Sequence, residues 1–385
     1  MKRIGLLALL LVAAVVVAPA PAQQPGLDAV LASLDAQLAA EFRKDGIGGA
    51  SIGVVSGARM AWTGNYGFAD MEAKRAPTSD TVYRIGSITK QFTALALLRQ
   101  VEAGTMQLTD PLEQYVPEVK ALANRRDGWP APTLLQVATM MSGIAREPMC
   151  PGHSIGPVSM WQQKVLSCLP ATAYAHAPGT QYLYSNIGYA ALGLAVERAG
   201  GRPFTDQVID GIVTPLRMTR TGWEPVGALR SDLAHGYMRR DGRPDRTQPD
   251  RELDGRGYRV PNGNLFSTVN DLARFVMWET GTLDAPVIRR ETQMFNYART
   301  HSANGAMTSG YGLGFTVTRR GDLVALGHGG STAGYRASAL FDPRTRTGVV
   351  VLRNAEGGSF DAGAVALRIL ERVVAAQSPP RGQER

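Results

Sequence analysis

The sequence predicts an α+β protein. One antiparallel sheet of five or more strands is formed by both ends of the chain. Terminal helices flank it, and a mostly helical region is inserted between the two halves. Three observations carry this expectation. Two strand-like runs, 50–56 and 60–69, come early and are separated by Gly57, as in a hairpin. Three more, 323–327, 335–341 and 348–353, come late, with a turn at 343–347 between the last two. Helical patterns stand outside both groups, at 27–44 and about 360–376, while the middle of the chain is mostly helical. A sheet assembled from the two ends, covered by the end helices, buries these faces with the fewest elements.

Taken in order, the chain opens with Lys2 and Arg3, an uncharged apolar run over 4–18, and Ala20-Pro21-Ala22. That is the pattern of a signal peptide over 1–22, cleaved before Gln23. The run falls short of the roughly 20 residues a membrane span needs. No later stretch qualifies, so the mature chain is expected to be exported, periplasmic or secreted, without a stable span. The chain has 385 residues, 44% hydrophobic and 19% charged, a globular composition. One domain over 23–377 is expected, with sheet parts at about 23–80 and 305–377, a helical region at about 81–304, and a loose tail at 378–385.

The net charge of +8 falls to +6 without Lys2 and Arg3. The cluster at 239–246 mixes both signs and holds no aromatic residue, so no nucleic-acid surface is expected. The two cysteines, Cys150 and Cys168, fit a disulfide in an oxidising compartment, or two buried thiols. A bridge would close a loop of about 18 residues and contribute roughly 3 kcal/mol. No Cys/His spacing suggests a metal, and no cofactor is expected.

The first helix places Leu27, Val30, Leu31, Leu34, Leu38 and Phe42 on one face and stops at Gly46. The central helix runs over about 87–102, stops at Gly104, and is apolar nearly all round, which marks it as buried. Within it, Ser87 and Lys90 stand three apart, on one face. Burial penalises an ammonium, so Lys90 must find partners or a lowered pKa. A serine beside such an amine suits nucleophilic catalysis. A short helix follows Asp110-Pro111, and Thr133-Leu134-Leu135-Gln136 is a capping box. Residues 145–177 read as irregular, 186–199 as a helix ending at Gly200-Gly201, 222–261 as a long polar loop region, and 267–280 as a capped helix.

Two further segments add polar groups. Tyr184-Ser185-Asn186 leads into the helix of 186–199, and Gly327-His328-Gly329-Gly330-Ser331 lies between two strand patterns, where adjacent glycines permit close approach. Singly, these segments also read as a helix-start serine, a loop aromatic with an N-cap asparagine, and a turn with a surface histidine. The run 329–333 nearly matches a G-x-S-x-G elbow, but a strand rather than a helix follows it.

Ser87-x-x-Lys90, Tyr184-x-Asn186 and His328-x-Gly330 occur in this order, and together they resemble the serine β-lactamase and penicillin-binding protein superfamily. The resemblance is to its class C β-lactamase-like branch of DD-peptidases and esterases. It extends to Met141-Ser142-Gly143-Ile144, to 263–268 with Asp271-Leu272, and to 311–315, and covers about 27–376.

The resemblance implies a β-lactamase/transpeptidase-like fold and an acyl-enzyme. Ser87 would be the nucleophile. Lys90 and Tyr184 would carry protons, a cationic Lys90 making the Tyr184 phenol usable as a base. Asn186 would contact a substrate amide, and His328 and Gly330 would line the substrate. The backbone N–H groups of Ser87 and Ser331 would form the oxyanion hole. The substrate would be a small ester or amide, or a peptidoglycan-type peptide. β-Lactamases of this branch usually carry lysine where His328 stands. A histidine is mostly neutral at pH 7, so a substrate carboxylate is held less well and weak β-lactamase activity is expected. The alternatives are a class C-type β-lactamase and a non-catalytic penicillin- or peptidoglycan-binding sensor or scaffold. Oligomeric state is not readable from the chain.

Overall fold

The computed structural model describes residues 26–293, 301–302 and 309–377. The predicted signal peptide at 1–22 and tail at 378–385 lie outside the described residues. Eight antiparallel strands form the main sheet: β1 (Gly49–Ser56), β2 (Arg59–Gly67), β3 (His301–Ser302), β4 (Ser309–Tyr311), β5 (Thr316–Arg320), β6 (Leu323–Thr332), β7 (Tyr335–Asp342) and β8 (Thr347–Arg353). Their order is β2-β1-β8-β7-β6-β5-β4-β3, so β1 from the N-terminal end pairs directly with β8 from the C-terminal end. The expected assembly from both ends is what forms. The three strands beyond the five read from sequence are short, and exposed arginines at the end of β5 blur its alternation.

Alternating side chains send β1 and β8 into two cores. Ile52, Val54, Val349 and Val351 face α1 (Leu27–Asp45) and the C-terminal helix (Ala362–Gln377), meeting Leu34, Leu38, Ile369 and Leu370. Each such buried side chain contributes roughly 1.5–3 kcal/mol. Val350 and Leu352 face the other way, into the core shared with the helical region. That region is centred on α2 (Thr89–Glu102), whose residues 89–98 are all buried, as its apolar circumference predicted. α2 packs on a helix at Asn186–Gly200 and on the helical turn Val260–Gly263, while the Gly86–Ile88 turn before it packs on the sheet.

A buried ion pair joins the ends of these layers. Asp45, the last residue of α1, pairs with Arg353, the last of β8, and its Oδ1 accepts from Phe360 N at 2.8 Å. Both side chains are about 1% exposed or less. Removing one partner strands the other charge, so Asp45→Ala is expected to cost about 3–5 kcal/mol in urea unfolding. A loss below about 1 kcal/mol would show that solvent or a neighbour compensates Arg353.

Two segments are more ordered than their sequence suggested. Residues 145–177 contain a helix, Trp161–Cys168, whose buried face is only Trp161, Val165 and Cys168 and is easily missed among polar neighbours. Cys168 at its end forms a disulfide with Cys150, the expected pair. The polar stretch 222–261 contains a two-stranded ribbon, Met238–Arg240 with Arg243–Asp245, turned at Asp241-Gly242, both at positive φ. It also brings Glu252 and Arg256 into the interior.

Candidate active site

Ser87 lies in a 3-10 turn, Gly86–Ile88, that leads into α2 at Thr89. The serine is half-buried and Lys90 fully so. One turn of helix brings Lys90 Nζ to 3.1 Å from Ser87 Oγ. The amine has two further acceptors, Asn186 Oδ1 and the Asn262 carbonyl, each at 2.8 Å. Burial first, and the Arg256 guanidinium second, hold its pKa well below the ordinary lysine value. Both consequences of a buried Lys90 are therefore present: it has partners, and its charged form is penalised.

Tyr184 closes the other side of Ser87. The Ser87 hydroxyl is near enough to the Tyr184 phenol to favour the phenolate. Lys90 Nζ and the Arg146 guanidinium both lie 4.8 Å from its ring centroid. Burial nevertheless pushes the phenol up, outweighing Ser87 and Arg146. This differs from the expectation that a cationic Lys90 makes Tyr184 a ready base. The same low-dielectric pocket disfavours both the Lys90 ammonium and the Tyr184 phenolate.

The chain from His328 to Ser331 belongs to β6 rather than to a turn. Only residues 323–327 of β6 pair with β5, which leaves 328–332 bonded on one side, to β7. The freed edge faces the Ser87 turn. A Cβ on Gly86, which has φ +53°, would stand 2.6 Å from Ser331 N, and one on Gly330 would stand 1.9 Å from the Ile85 carbonyl oxygen. Only glycines allow this approach of the two backbones. It sets Ser331 N, one of the two expected oxyanion donors, against the turn that carries Ser87.

His328 is buried, and both ring nitrogens are engaged internally. Nδ1 lies 2.5 Å from the Gly329 carbonyl and Nε2 2.9 Å from the Tyr311 hydroxyl. A carbonyl can only accept, so Nδ1 carries the proton and Tyr311 donates to Nε2. Burial, then Lys90, push the His328 pKa down to about 3. It supplies no cation near neutral pH.

Asn186 also has both amide ends occupied. Oδ1 faces Lys90, while Nδ2 donates to Glu147 Oε1 at 2.5 Å. The sequence expectation gave it to the substrate amide. Glu147, Tyr258, Arg259 and Asn262 were not singled out from sequence. Asn262 lies next to the Gly263–Thr268 segment noted above, but nothing local marks its carbonyl as a lysine acceptor.

A serine beside a buried, partnered lysine, under the freed edge of an antiparallel sheet and closed by a helical insert, is the arrangement of the penicillin-recognising serine hydrolases. Comparison with known proteins agrees: the chain belongs to the Beta-lactamase family, which matches residues 31–373. Protein flp of Staphylococcus aureus (strain NCTC 8325 / PS 47) is 25% identical over 321 residues, 83% of this chain and 62% of flp. The chain thus spans less than two thirds of the length of the first curated relatives it matches. Among solved structures, a class C β-lactamase superposes with TM-score 0.74 at 20% identity, over 92% of this chain and 97% of the other. The D-alanine carboxypeptidase AmpC from Burkholderia cenocepacia gives 0.71 at 22%, over 91% and 99%. At these identities the two structures speak for the fold.

Proposed function

We propose that the chain is an exported serine hydrolase that forms an acyl-enzyme on Ser87 and cleaves an ester, an amide or a D-amino-acid peptide bond. The observation that carries this reading is the 3.1 Å contact between Ser87 Oγ and a fully buried Lys90. A neutral Lys90 accepts the Ser87 proton as Oγ attacks the substrate carbonyl, and becomes the ammonium. The Ser87 and Ser331 N–H groups stabilise the oxyanion. Collapse breaks the bond to the leaving alcohol or amine, which takes a proton from Tyr184, and Lys90 restores it. Water then repeats the sequence on the acyl-enzyme and frees Ser87. His328 acts through Tyr311 and β6 rather than as a charged substrate clamp. The Cys150–Cys168 disulfide and the leader pattern support an oxidising compartment. Among the described residues, no helix is long and apolar enough to cross a membrane.

The test is mass spectrometry after incubation with a fluorophosphonate or a penicillin, beside p-nitrophenyl acetate kinetics. One adduct on Ser87 is expected, absent from Ser87→Ala, with ester turnover reduced about 10³-fold or more. Equal ester rates for the two proteins would overturn the reading. Nitrocefin turnover is expected to be slow, because His328 is buried and neutral with both ring nitrogens engaged and so gives a β-lactam carboxylate no cation. Rapid turnover would favour the class C-type β-lactamase instead. A persistent penicillin adduct without ester turnover would favour a sensor.

A further inference from the structure

The loop after the Ser142-Gly143 turn carries a carboxylate that the reaction above does not use. Glu147 accepts from Asn186 Nδ2 at 2.5 Å, from the Tyr258 hydroxyl, and from Arg259 Nη2 at 3.1 Å. Arg259 Nε donates in turn to the Tyr258 hydroxyl at 3.0 Å. These contacts keep Glu147 ionised: burial alone would raise its pKa, but Arg259 and the hydrogen bonds outweigh it and lower it. The backbone is held too. Asn186 N donates to the Arg146 carbonyl at 2.9 Å, and Cys150, three residues beyond Glu147, is tied to Cys168.

An ionised carboxylate only accepts, so it selects the donor end of the Asn186 amide. The acceptor end is then left facing Lys90. A neutral lysine has two N–H bonds and one lone pair. Asn186 Oδ1 and the Asn262 carbonyl take the two N–H bonds, which aims the lone pair at Ser87 Oγ. A flipped Asn186 would offer Lys90 a donor, and the lone pair would be drawn away from Ser87.

We propose that Glu147 is the positioning residue of the Ser87–Lys90 pair: it locks the Asn186 amide with its oxygen toward Lys90, so that the amine's lone pair faces the nucleophile. The inference rests on the acyl-enzyme reading above. Glu147 also has an electrostatic part. Arg256, Arg146 and Arg259 all disfavour the Lys90 ammonium, and Glu147 opposes them. His328 and the rings of Tyr184 and Tyr189, the other titratable groups facing Lys90, are neutral.

The experiment compares wild type, Glu147→Ala, Glu147→Gln and Glu147→Asp in pH profiles of kcat/KM for p-nitrophenyl acetate and in fluorophosphonate labelling rates. Glu147→Ala is expected to lose about 10–100-fold through misorientation. In both Ala and Gln variants the acid limb, where Lys90 loses its proton, moves to lower pH, because the charge that favours the ammonium is gone and Arg259 is uncompensated. Glu147→Asp returns the limb toward wild type. Glu147→Gln is isosteric, so it keeps the test open if Glu147→Ala fails to fold. An unmoved acid limb in Glu147→Gln, with the wild type still acylated at Ser87, would overturn the positioning role alone. No Ser87 adduct in wild type would overturn the underlying reading, and this inference with it.

Discussion

Lys90→Met is expected to lower kcat/KM for p-nitrophenyl acetate about 10²–10⁴-fold, the usual worth of a positioned general base. Methionine matches the lysine stem as far as Cε and suits a fully buried site, so the fold is expected to survive with its main unfolding transition intact. Two acceptors lose their donor in the variant, Asn186 Oδ1 and the Asn262 carbonyl, and the Ser87 hydroxyl loses its partner amine. That offsets part of what is gained by removing a buried amine. The pH profile identifies the base. Burial lowers the Lys90 pKa, so the amine becomes neutral, and competent, at a pH well below the ordinary lysine value. Wild-type kcat/KM should rise through that lowered pKa and then level off. The Met variant should lack this limb. If its rate stays within about tenfold of wild type and the limb persists, the base is another group, and Tyr184 is next in line.

The same titration affects stability, and the sign follows from proton counts. Unfolded Lys90 binds its proton up to its ordinary pKa, while folded Lys90 gives it up earlier. Between the two values the unfolded state holds more protons, so stability rises with pH across that window. Lys90→Met removes this contribution. The wild type should therefore gain stability relative to the variant as pH rises through the window.

Several of these features were legible in the sequence because they are local or periodic. Ser87 and Lys90 are three apart, and the apolar circumference of residues 88–98 announced a buried helix, hence a partnered lysine. Strand-like runs at both chain ends pointed to one sheet built from them, and the pairing of β1 with β8 realises it. The remainder depends on contacts between residues far apart in the chain. Asn262 is 172 residues from Lys90, and the carbonyl that serves it is a backbone group with no signature. Glu147 reaches Asn186 from 39 residues away, out of a stretch that looked irregular. The identity of His328 was visible, but its burial against Tyr311 was not, and that burial decides its charge. The strand expected at 323–327 runs on to Thr332, and its glycines let it lie against the Ser87 turn.

Gly330→Ala should separate oxyanion stabilisation from the rest of the machinery. The new Cβ would stand 1.9 Å from the Ile85 carbonyl oxygen and 2.8 Å from its carbon. Ile85 has little freedom to retreat. Its N–H donates to the Leu265 carbonyl at 3.0 Å, and its carbonyl accepts from Ile88 N at 3.3 Å, inside the turn that carries Ser87. Either that turn shifts or β6 does, and each motion separates the N–H groups of Ser87 and Ser331. Losing one oxyanion donor costs about 10²–10³-fold in rate, so kcat for p-nitrophenyl acetate should fall by that amount. Overpacking should cost a further 1–3 kcal/mol, roughly, in unfolding free energy. Gly329→Ala is the internal control. The nearest atom to its Cβ is the Ala337 carbonyl oxygen at 3.7 Å, an ordinary contact, and its φ is not positive. That variant should keep its rate within a few-fold and its stability within about 0.5 kcal/mol of wild type, as for an unstrained surface change. Equal rates for the two variants would remove the close approach of β6 and the Ser87 turn from the mechanism. A loss confined to Gly330→Ala would tie the rate to the spacing between those two backbones.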